Sequence, residues 1–477
     1  MPESKPRVIS VSPMPPEKCA YALARYSRSP DSIRESLAWV RTHDSQKFLE
    51  SFYFQYGHAS IADLGHTVVC FEGLSELAAT EIEEEPLWDG QAKSSRYQDF
   101  SRAGFVTPPE LTGQMVECYE AAARHLLAAY AEVNGRAFDC LAARLPRPDD
   151  MTPAVYRRNL AARAFDVARY LLFWGIPTQV GQVTSIRTLE KQIRRLKAAE
   201  YQELRELGDE IARACAAEPD CIWDAGAARE PLAPTLARHA DADEYAARAR
   251  NNLRQWAGQN LPRSEGGEPV RVDLVRPADT AADIVATLLY PVSDQPFREL
   301  YEMARAWSAA QRAEVLDVAF ESRTRRDDLL AGFHGGLYAY DLAIDIGAYR
   351  DLHRHRRCHK FRQSYSGRLG YDTPALVEEA GAAEVYREAI ESALTAMQGL
   401  PSLGAHYLLP FGARGRFLFK MDFAEAEYIA RVRSGVKGHF SYREVAWEMK
   451  VKMEQLEPEL GRLMEATPPW VEDMLKR

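Results

Sequence analysis

Two stretches resemble each other closely enough to decide the fold: "RVISVSPMPPEKCAYALARYS" at residues 7–27 and "RVDLVRPADTAADIVATLLYP" at residues 271–291. Aligned without gaps, they match Arg7 with Arg271, and a proline falls at the same place in both. Each pattern is typical of a short strand, a proline-containing turn and then a helix. We therefore expect the start of the chain to recur in its second part.

Two further pairs of segments support this repeat. "ARYLLFWGIPTQVGQVTSIR" at 168–187 aligns with "AHYLLPFGARGRFLFKMDFA" at 405–424, and "CYEAAARHLLAAY" at 118–130 aligns with "VYREAIESALTAM" at 385–397. The three pairs follow the same order in both parts of the chain, which indicates a tandem duplication. Most other segments have helical spacing and strands are few and short, so the expected class is α+β and helix-rich.

The duplication sets the expected domains. A chain of 477 residues is too long for one ordinary domain. We expect a first unit at residues 1–220, a linker at 221–267 and a second unit at 268–477. Within the linker, "ADADEYAARARNNLRQWAG" (240–258) has the pattern of one amphipathic helix.

Bulk composition narrows the functional classes. A net charge of −9 and a pI near 5.8 argue against broad nucleic-acid binding, which usually needs a basic face. Seven scattered cysteines without a CxxC pair indicate reduced, cytosolic usage. With no apolar run near the ~18 residues of a spanning helix and no signal segment, we expect a soluble cytoplasmic protein without a membrane partner.

Positive charge is nevertheless concentrated in "HRHRRCHKFRQ", residues 353–363, where eight of eleven side chains are basic or imidazole. A metal site built from its histidines and Cys358 is disfavoured, because the adjacent arginines would repel a dication. A solvated basic face is a second interpretation. A clamp for phosphate or pyrophosphate fits best, because arginine presents a planar fork of donors that matches phosphate oxygens.

Three segments of the first part carry weaker signals. In "KSSRYQDF" (93–100), Ser94, Ser95 and Arg96 could hold a phosphate, or a serine could cap a helix, and both interpretations stay open. His58, in "YGHASIADLGH" (56–66), is a lone histidine, and a lone histidine of this type usually has a structural role. The acidic run at Glu81 and 83–85 is expected to be a solvated helix end.

Together these motifs resemble the flavin-dependent thymidylate synthases, the ThyX family. The resemblance is carried by "YGHAS" (56–60), "SSRY" (94–97) and "RHR" (354–356), and it covers nearly the whole chain outside the linker. It implies two tandem units, each with a small β-sheet and long helices. It also implies transfer of a one-carbon unit from methylenetetrahydrofolate to deoxyuridine monophosphate, with FAD reduced by NADPH and no nucleophilic cysteine.

The two copies depart from the family pattern in complementary ways. In the first copy "IEEEP" (82–86) occupies the place of RHR, while in the second copy Ala424 replaces the arginine that corresponds to Arg187. The resemblance therefore implies composite sites in a homodimer that mimics the family's tetramer. The implied cofactor-binding residues are Ser27, His58, Arg354, His355 and Arg356. The implied residues for a uracil nucleotide are Ser94, Ser95, Arg96, Arg187 and Arg354.

Two further departures leave the substrate open. Ala92 stands where the family has a glutamate, and His359 stands where it has a serine. An altered pyrimidine acceptor and a duplicated scaffold that binds nucleotide or flavin without catalysis therefore remain alternatives. The absence of a GxGxxG motif disfavours a Rossmann mode of FAD binding.

Overall fold

The structure is a computed structural model. It describes residues 14–26, 33–51, 59–219, 230–242, 271–275, 279–289, 297–320, 329, 331–334 and 336–475. Ser27, His58, the strand expected near Val8 and most of the expected linker helix lie outside these residues.

Helices dominate the described part of the chain, and the strands are short. The helices are α1 Pro16–Tyr26, α2 Ile33–Val40, α3 Ser45–Leu49, α4 Glu76–Glu83, α5 Gln114–Arg144, α6 Pro153–Ala168, α7 Ile186–Lys197, α8 Gln202–Ala216, α9 Pro234–Arg238, α10 Thr280–Leu289, α11 Phe297–Ala306, α12 Ala309–Phe320, α13 Ile346–Leu352, α14 Ala375–Glu379, α15 Ala383–Gln398, α16 Ser402–His406, α17 Phe423–Arg433, α18 Phe440–Leu456 and α19 Pro458–Gly461. The strands are β1 His66–Ser75, β2 Trp88–Ala92, β3 Pro177–Ser185, β4 Val272–Val275, β5 Tyr338–Asp345, β6 His359–Arg362 and β7 Arg414–Met421.

The strands form two small sheets. One has the order β1-β3-β2, and the other has the order β4-β5-β7-β6. Every pair in the second sheet is antiparallel, as are β2 and β3 in the first. The expected α+β, helix-rich class is confirmed.

The described chain divides into two compact units. The first comprises 1–74, 87–93 and 178–263, and the second comprises 75–86, 94–177 and 264–477. In the first unit, α7 packs on α8 through an apolar stripe that includes Ile193 and Leu196. In the second unit, α5 packs on α6 and α15. Each of these units has other boundaries than the two halves expected from the sequence. The division into those halves therefore remains a prediction.

The order of elements repeats as the alignments predict. The series β1-α4-β2-α5-β3-α7 recurs as β5-α13-β6-α15-β7-α17, and in both sheets the third strand of the series lies between the other two. Each helix that directly follows β1, β3, β5 or β7 starts at a side chain that accepts a hydrogen bond from the amide three residues later, which is a strong N-cap. These four capping residues are Ser75, Ser185, Asp345 and Asp422.

Within the second unit the two copies meet through reciprocal backbone hydrogen bonds. The amide of Gly175 donates to the Tyr407 carbonyl (2.8 Å), and the amide of Gly412 donates to the Tyr170 carbonyl (3.0 Å). Gly175 and Gly412 are aligned positions of the repeat, and so are Tyr170 and Tyr407. Contacts of this kind define a local twofold relation like that of a symmetric dimer interface.

Candidate anion-binding site

The charged segments of the second unit lie at or just after the ends of two helices, α4 and α13, whose first residues make corresponding backbone hydrogen bonds. The amide of Glu76, at the start of α4, donates to the Ile176 carbonyl, and the amide of Ile346, at the start of α13, donates to the Ala413 carbonyl. Because Ile176 and Ala413 are aligned positions, α4 and α13 correspond residue by residue. The acidic run at the end of α4 (Glu81 and 83–85) therefore occupies the place of the basic cluster that follows α13 (353–363), as the sequence predicts.

The expectation that the acidic run is a solvated helix end is wrong. Glu83 is only 4% exposed, because the run packs against the basic cluster of the other copy and pairs with it. Sequence alone did not reveal this, because the pairing depends on how the copies meet. The pairs are Glu83 with His353 (2.9 Å) and with Arg354 (3.5 Å), Glu84 with Lys360 (3.9 Å), and Glu81 with Arg362.

Glu83 and His353 occupy the same position in the two copies of the repeat, and these two side chains contact each other. Two identical ionised residues at this place would repel each other, whereas a carboxylate and an imidazole ring can pair. Burial alone would raise the pKa of Glu83, but His353 and the neighbouring Arg354 lower it below the usual value. The complementary divergence of the two copies therefore has a direct electrostatic consequence within one chain.

Replacing Glu83 with glutamine should test this pairing. The substitution leaves His353 and Arg354 without their carboxylate, so we expect the free energy of unfolding to fall by about 2 kcal/mol, the scale of a lost hydrogen bond to a charged group. Glu120→Gln is the matched control, because Glu120 forms an exposed i,i+4 pair with Arg124 and should cost less than about 0.5 kcal/mol. Equal urea midpoints for both variants and the wild type would contradict the pairing.

Arg354 keeps most of its donors available. Its one ion pair is the 3.5 Å approach to Glu83, and it donates no hydrogen bond among the described residues. Its side chain is one-third exposed, at 33%. Burial would lower the pKa of Arg354, but Glu83 and Asp351 raise it, so the guanidinium stays charged. A cation in this condition can bind an incoming anion without breaking a strong contact.

Asp351 is a carboxylate that lies among several arginines, one of which is Arg354. Arg169 donates to its carboxylate at 2.9 Å, and the charges of Arg169, Arg96, Arg354 and Arg433 hold the pKa of Asp351 well below its usual value, although burial opposes them. We name Asp351 with these four arginines the Asp351 cluster. It brings two arginines that the sequence singled out, Arg96 and Arg354, into the electrostatic range of one carboxylate.

His355 has a defined protonation state in this arrangement. Arg433 donates through Nε to Nε2 of His355 (2.8 Å), so that nitrogen must carry a lone pair. The other ring nitrogen, Nδ1, lies 3.1 Å from the Glu425 carboxylate and carries the proton. Burial, the largest effect, lowers the pKa of His355, which agrees with a neutral ring. The Nη atoms of Arg433 make no hydrogen bond among the described residues. Arg356 is exposed.

Arg96 is held by the protein itself. Its three guanidinium nitrogens donate to Asp166 (2.8 Å), to the Tyr442 hydroxyl (2.6 Å) and to the Lys437 carbonyl (3.0 Å). No helix starts at the preceding serines, so the N-cap interpretation is wrong. The Ser94 hydroxyl accepts from the Arg96 amide (3.2 Å), and the Ser95 hydroxyl accepts from Arg350 (3.1 Å).

Arg187 lies in the first unit, in the first turn of α7. Its guanidinium donates to the Asp63 carboxylate at 2.6 Å, and both side chains are partly exposed. Its counterpart in the second copy, Ala424, follows the capping residue of α17. The structure thus confirms the alignment that makes Arg187 specific to the first copy.

Sequence reasoning missed Arg169, Arg433 and the pairing role of Glu83. Arg169 is 1% exposed and has Nε and Nη2 atoms without hydrogen-bond partners among the described residues. No motif marks it, because it stands in an apolar run, "ARYLLFWG" (168–175). Arg433 stands near a helix end, where arginine is common for reasons of the helix dipole alone.

Two further features are absent from the described residues. No group of three or more histidine, cysteine or acidic side chains could hold a metal ion there. Among those same residues, no helix is both long and apolar enough to cross a membrane.

Comparison with known proteins gives the chain a family relationship. The sequence model of the family described as "Thymidylate synthase complementing protein" (Thy1) matches residues 7–218 and 337–459. A "UPF0159 protein" of Chlamydia muridarum is 25% identical over 416 residues, which cover 84% of this chain and 77% of the relative. Another of Chlamydia pneumoniae is 26% identical over 84% of this chain and 76% of the relative. A third, of Thermoplasma acidophilum, is 23% identical over 93% of both chains.

Proposed function

Because the chain belongs to the thymidylate synthase complementing protein family, we propose that it methylates a uracil nucleotide. The one-carbon unit would come from methylenetetrahydrofolate, and FAD with NADPH would supply the reducing equivalents. The main structural support for this proposal is the Asp351 cluster, in which Arg354 and Arg433 have guanidinium donors available for a ligand.

The donors of the cluster fit the diphosphate of FAD. Arginine forks bind phosphate oxygens with charge-assisted hydrogen bonds, and Arg354 can do so without losing a hydrogen bond of its own. In our proposal Arg354 and Arg356 bind the cofactor, with Arg433 beside them, and neutral His355 keeps Arg433 in place. Ser27 and His58 belong to the proposed cofactor set by resemblance. The flavin, when bound, supplies hydride chemistry, and the chain supplies binding and orientation.

The proposed nucleotide residues are Ser94, Ser95, Arg96 and Arg187, with Arg354 shared. Arg187 is partly exposed, so its guanidinium can exchange the Asp63 contact for a phosphate oxygen. To bind a phosphate, Arg96 would have to give up its hydrogen bond to the Lys437 carbonyl or to Tyr442. We therefore propose two roles for Arg96, which are to stabilise the site and to contact the ligand. The proposed assembly is a homodimer.

The test is conversion of deoxyuridine monophosphate to thymidine monophosphate by the purified chain, with methylenetetrahydrofolate, FAD and NADPH. We expect turnover in the wild type and a loss of nucleotide affinity of roughly tenfold or more in Arg187→Ala, the scale of one charge-assisted hydrogen bond. Arg195→Ala, on the same helix, is the control. Flavin oxidation without any thymidine product would contradict the proposal.

Ala92 and His359 favour one alternative within the same chemistry. Ala92 ends β2 and His359 begins β6, at the places where the family carries a glutamate and a serine. Loss of these polar groups would relax recognition of the acceptor, so a different uracil nucleotide is the second candidate. Uridine monophosphate in the same assay distinguishes the two acceptors.

A further inference from the structure

A cavity of about 430 Å³ in the second unit is unused by the proposed function. Its lining includes Asp166 but none of Arg354, His355 or Arg433. Leu141 of α5, Val167 of α6 and Phe440 of α18 supply apolar walls. The volume falls within the range of small-molecule sites, which pair mostly apolar walls with a few polar groups.

One buried cation in the lining has a free donor. Arg443 is only 2% exposed. It donates through Nε to the Ser434 carbonyl (2.9 Å) and through Nη2 to the carbonyls of Val471 (2.7 Å) and Pro468 (3.3 Å), so its hydrogen bonds go only to uncharged acceptors. Its Nη1 donates to none of the described residues. Arg443 lies in the first turn of α18, whose amino end carries partial positive charge.

The acidic residues of the lining leave this charge largely uncompensated. Glu472 is exposed and forms no ion pair among the described residues. Burial lowers the pKa of Arg443; the charge of Glu472 raises it in part, and the nearby charge of Arg163 lowers it further. Each of the other lining carboxylates already pairs with an arginine: Asp166 with Arg96, Asp372 with Arg414, Glu379 with Arg144, and Glu444 with Arg271.

The segment 468–475 forms one wall of the cavity and is held by backbone contacts. Asn159 donates to the Leu475 carbonyl (2.7 Å), and Arg163 donates to the Asp473 carbonyl (2.8 Å). These bonds fix the main chain of the segment but leave the Glu472 side chain unattached. Glu472 can therefore leave the cavity without unfolding the wall.

We propose that this cavity binds a small organic anion. Its anionic head, a carboxylate or a phosphate, binds Nη1 of Arg443 and the amino end of α18. Its apolar body packs against Leu141, Val167 and Phe440. Glu472 acts as the internal counter-ion that the ligand displaces.

The experiment is calorimetric titration of the full chain with four probes: phenyl phosphate, benzoate, neutral benzamide and inorganic phosphate. We expect one saturable site per chain for phenyl phosphate or benzoate, with a Kd of about 1 mM or tighter. The tighter of the two identifies the head group. Benzamide lacks the charge and inorganic phosphate lacks the apolar body, so both should bind at least tenfold more weakly.

Three variants locate the site. Leu145→Trp places a bulky ring in the cavity from a half-buried position of its lining, and it should abolish binding while the protein stays folded. Glu472→Gln should tighten binding severalfold, because it removes the competing carboxylate. The double variant Arg354→Ala with Arg356→Ala should bind the probe as the wild type does. Binding unaffected by Leu145→Trp, binding lost in the double variant, equal binding of benzamide, or no saturable binding at all would each overturn the proposal.

Discussion

Replacing Arg96 with alanine should lower the free energy of unfolding by about 3–5 kcal/mol, the usual cost of removing one partner of a buried ion pair. The substitution leaves Asp166, which is 2% exposed, without the 2.8 Å contact from Arg96. It also removes hydrogen bonds to Tyr442 and to the Lys437 carbonyl. Urea denaturation followed by circular dichroism measures the change.

A double variant separates the charge effect from the lost packing. In the Arg96→Ala background, Asp166→Asn removes the buried carboxylate that has lost its shortest ion pair, and it should recover part of the lost stability. Arg124→Ala is the control, because Arg124 pairs with Glu120 on an exposed helix face and should cost less than about 1 kcal/mol. A loss of stability for Arg96→Ala no larger than that of the control would show that the buried network does not hold the second unit together.

Replacing Arg354 and Arg356 together with alanine should remove most of the bound flavin. Two charge-assisted hydrogen bonds, each contributing about 1.5–3 kcal/mol, correspond to a loss of affinity of roughly a hundredfold or more. Arg354 donates no hydrogen bond among the described residues and Arg356 is exposed, so the double variant should remain folded. The absorbance of flavin released from the purified protein measures occupancy.

Arg357→Ala provides the matched control for that measurement. Arg357 is the neighbouring arginine of the same basic cluster, its side chain is 58% exposed, and it lies beside His334 and Asp422. It should retain flavin at the wild-type level. Equal losses of flavin in the control and the double variant would mean that general positive charge, rather than the Arg354 and Arg356 pair, attracts the cofactor.

The sequence predicted the repeat and its register because both rest on local patterns. The alignment of 168–187 with 405–424 places Ser185 opposite Asp422, and both residues cap the helix that follows a strand. Hydrophobic spacing and capping chemistry act within a few residues, so they can be read without knowing the tertiary structure. The strand and helix order of the two copies follows from the same signals.

The contacts of the charged residues could not be predicted in this way. Glu83 meets His353, and Arg96 meets Tyr442, across hundreds of residues of chain. Such pairs depend on how the two copies pack, and the acidic run has the same composition as an ordinary solvated helix end. The sequence identified which residues carry charge, but the structure shows which charges are already compensated and which, as in Arg354 and Arg443, keep free donors.

The most direct test of the central proposal, that the duplicated chain has specialised its copies, is the number of tightly bound flavins per 477-residue chain. The basic cluster at 353–363 belongs to the second copy, and its counterpart in the first copy is the acidic run that pairs with it. We expect one flavin per chain, measured by absorbance after release and by native mass of the assembly. Two flavins per chain, or none in a protein that still binds uracil nucleotides, would contradict the account.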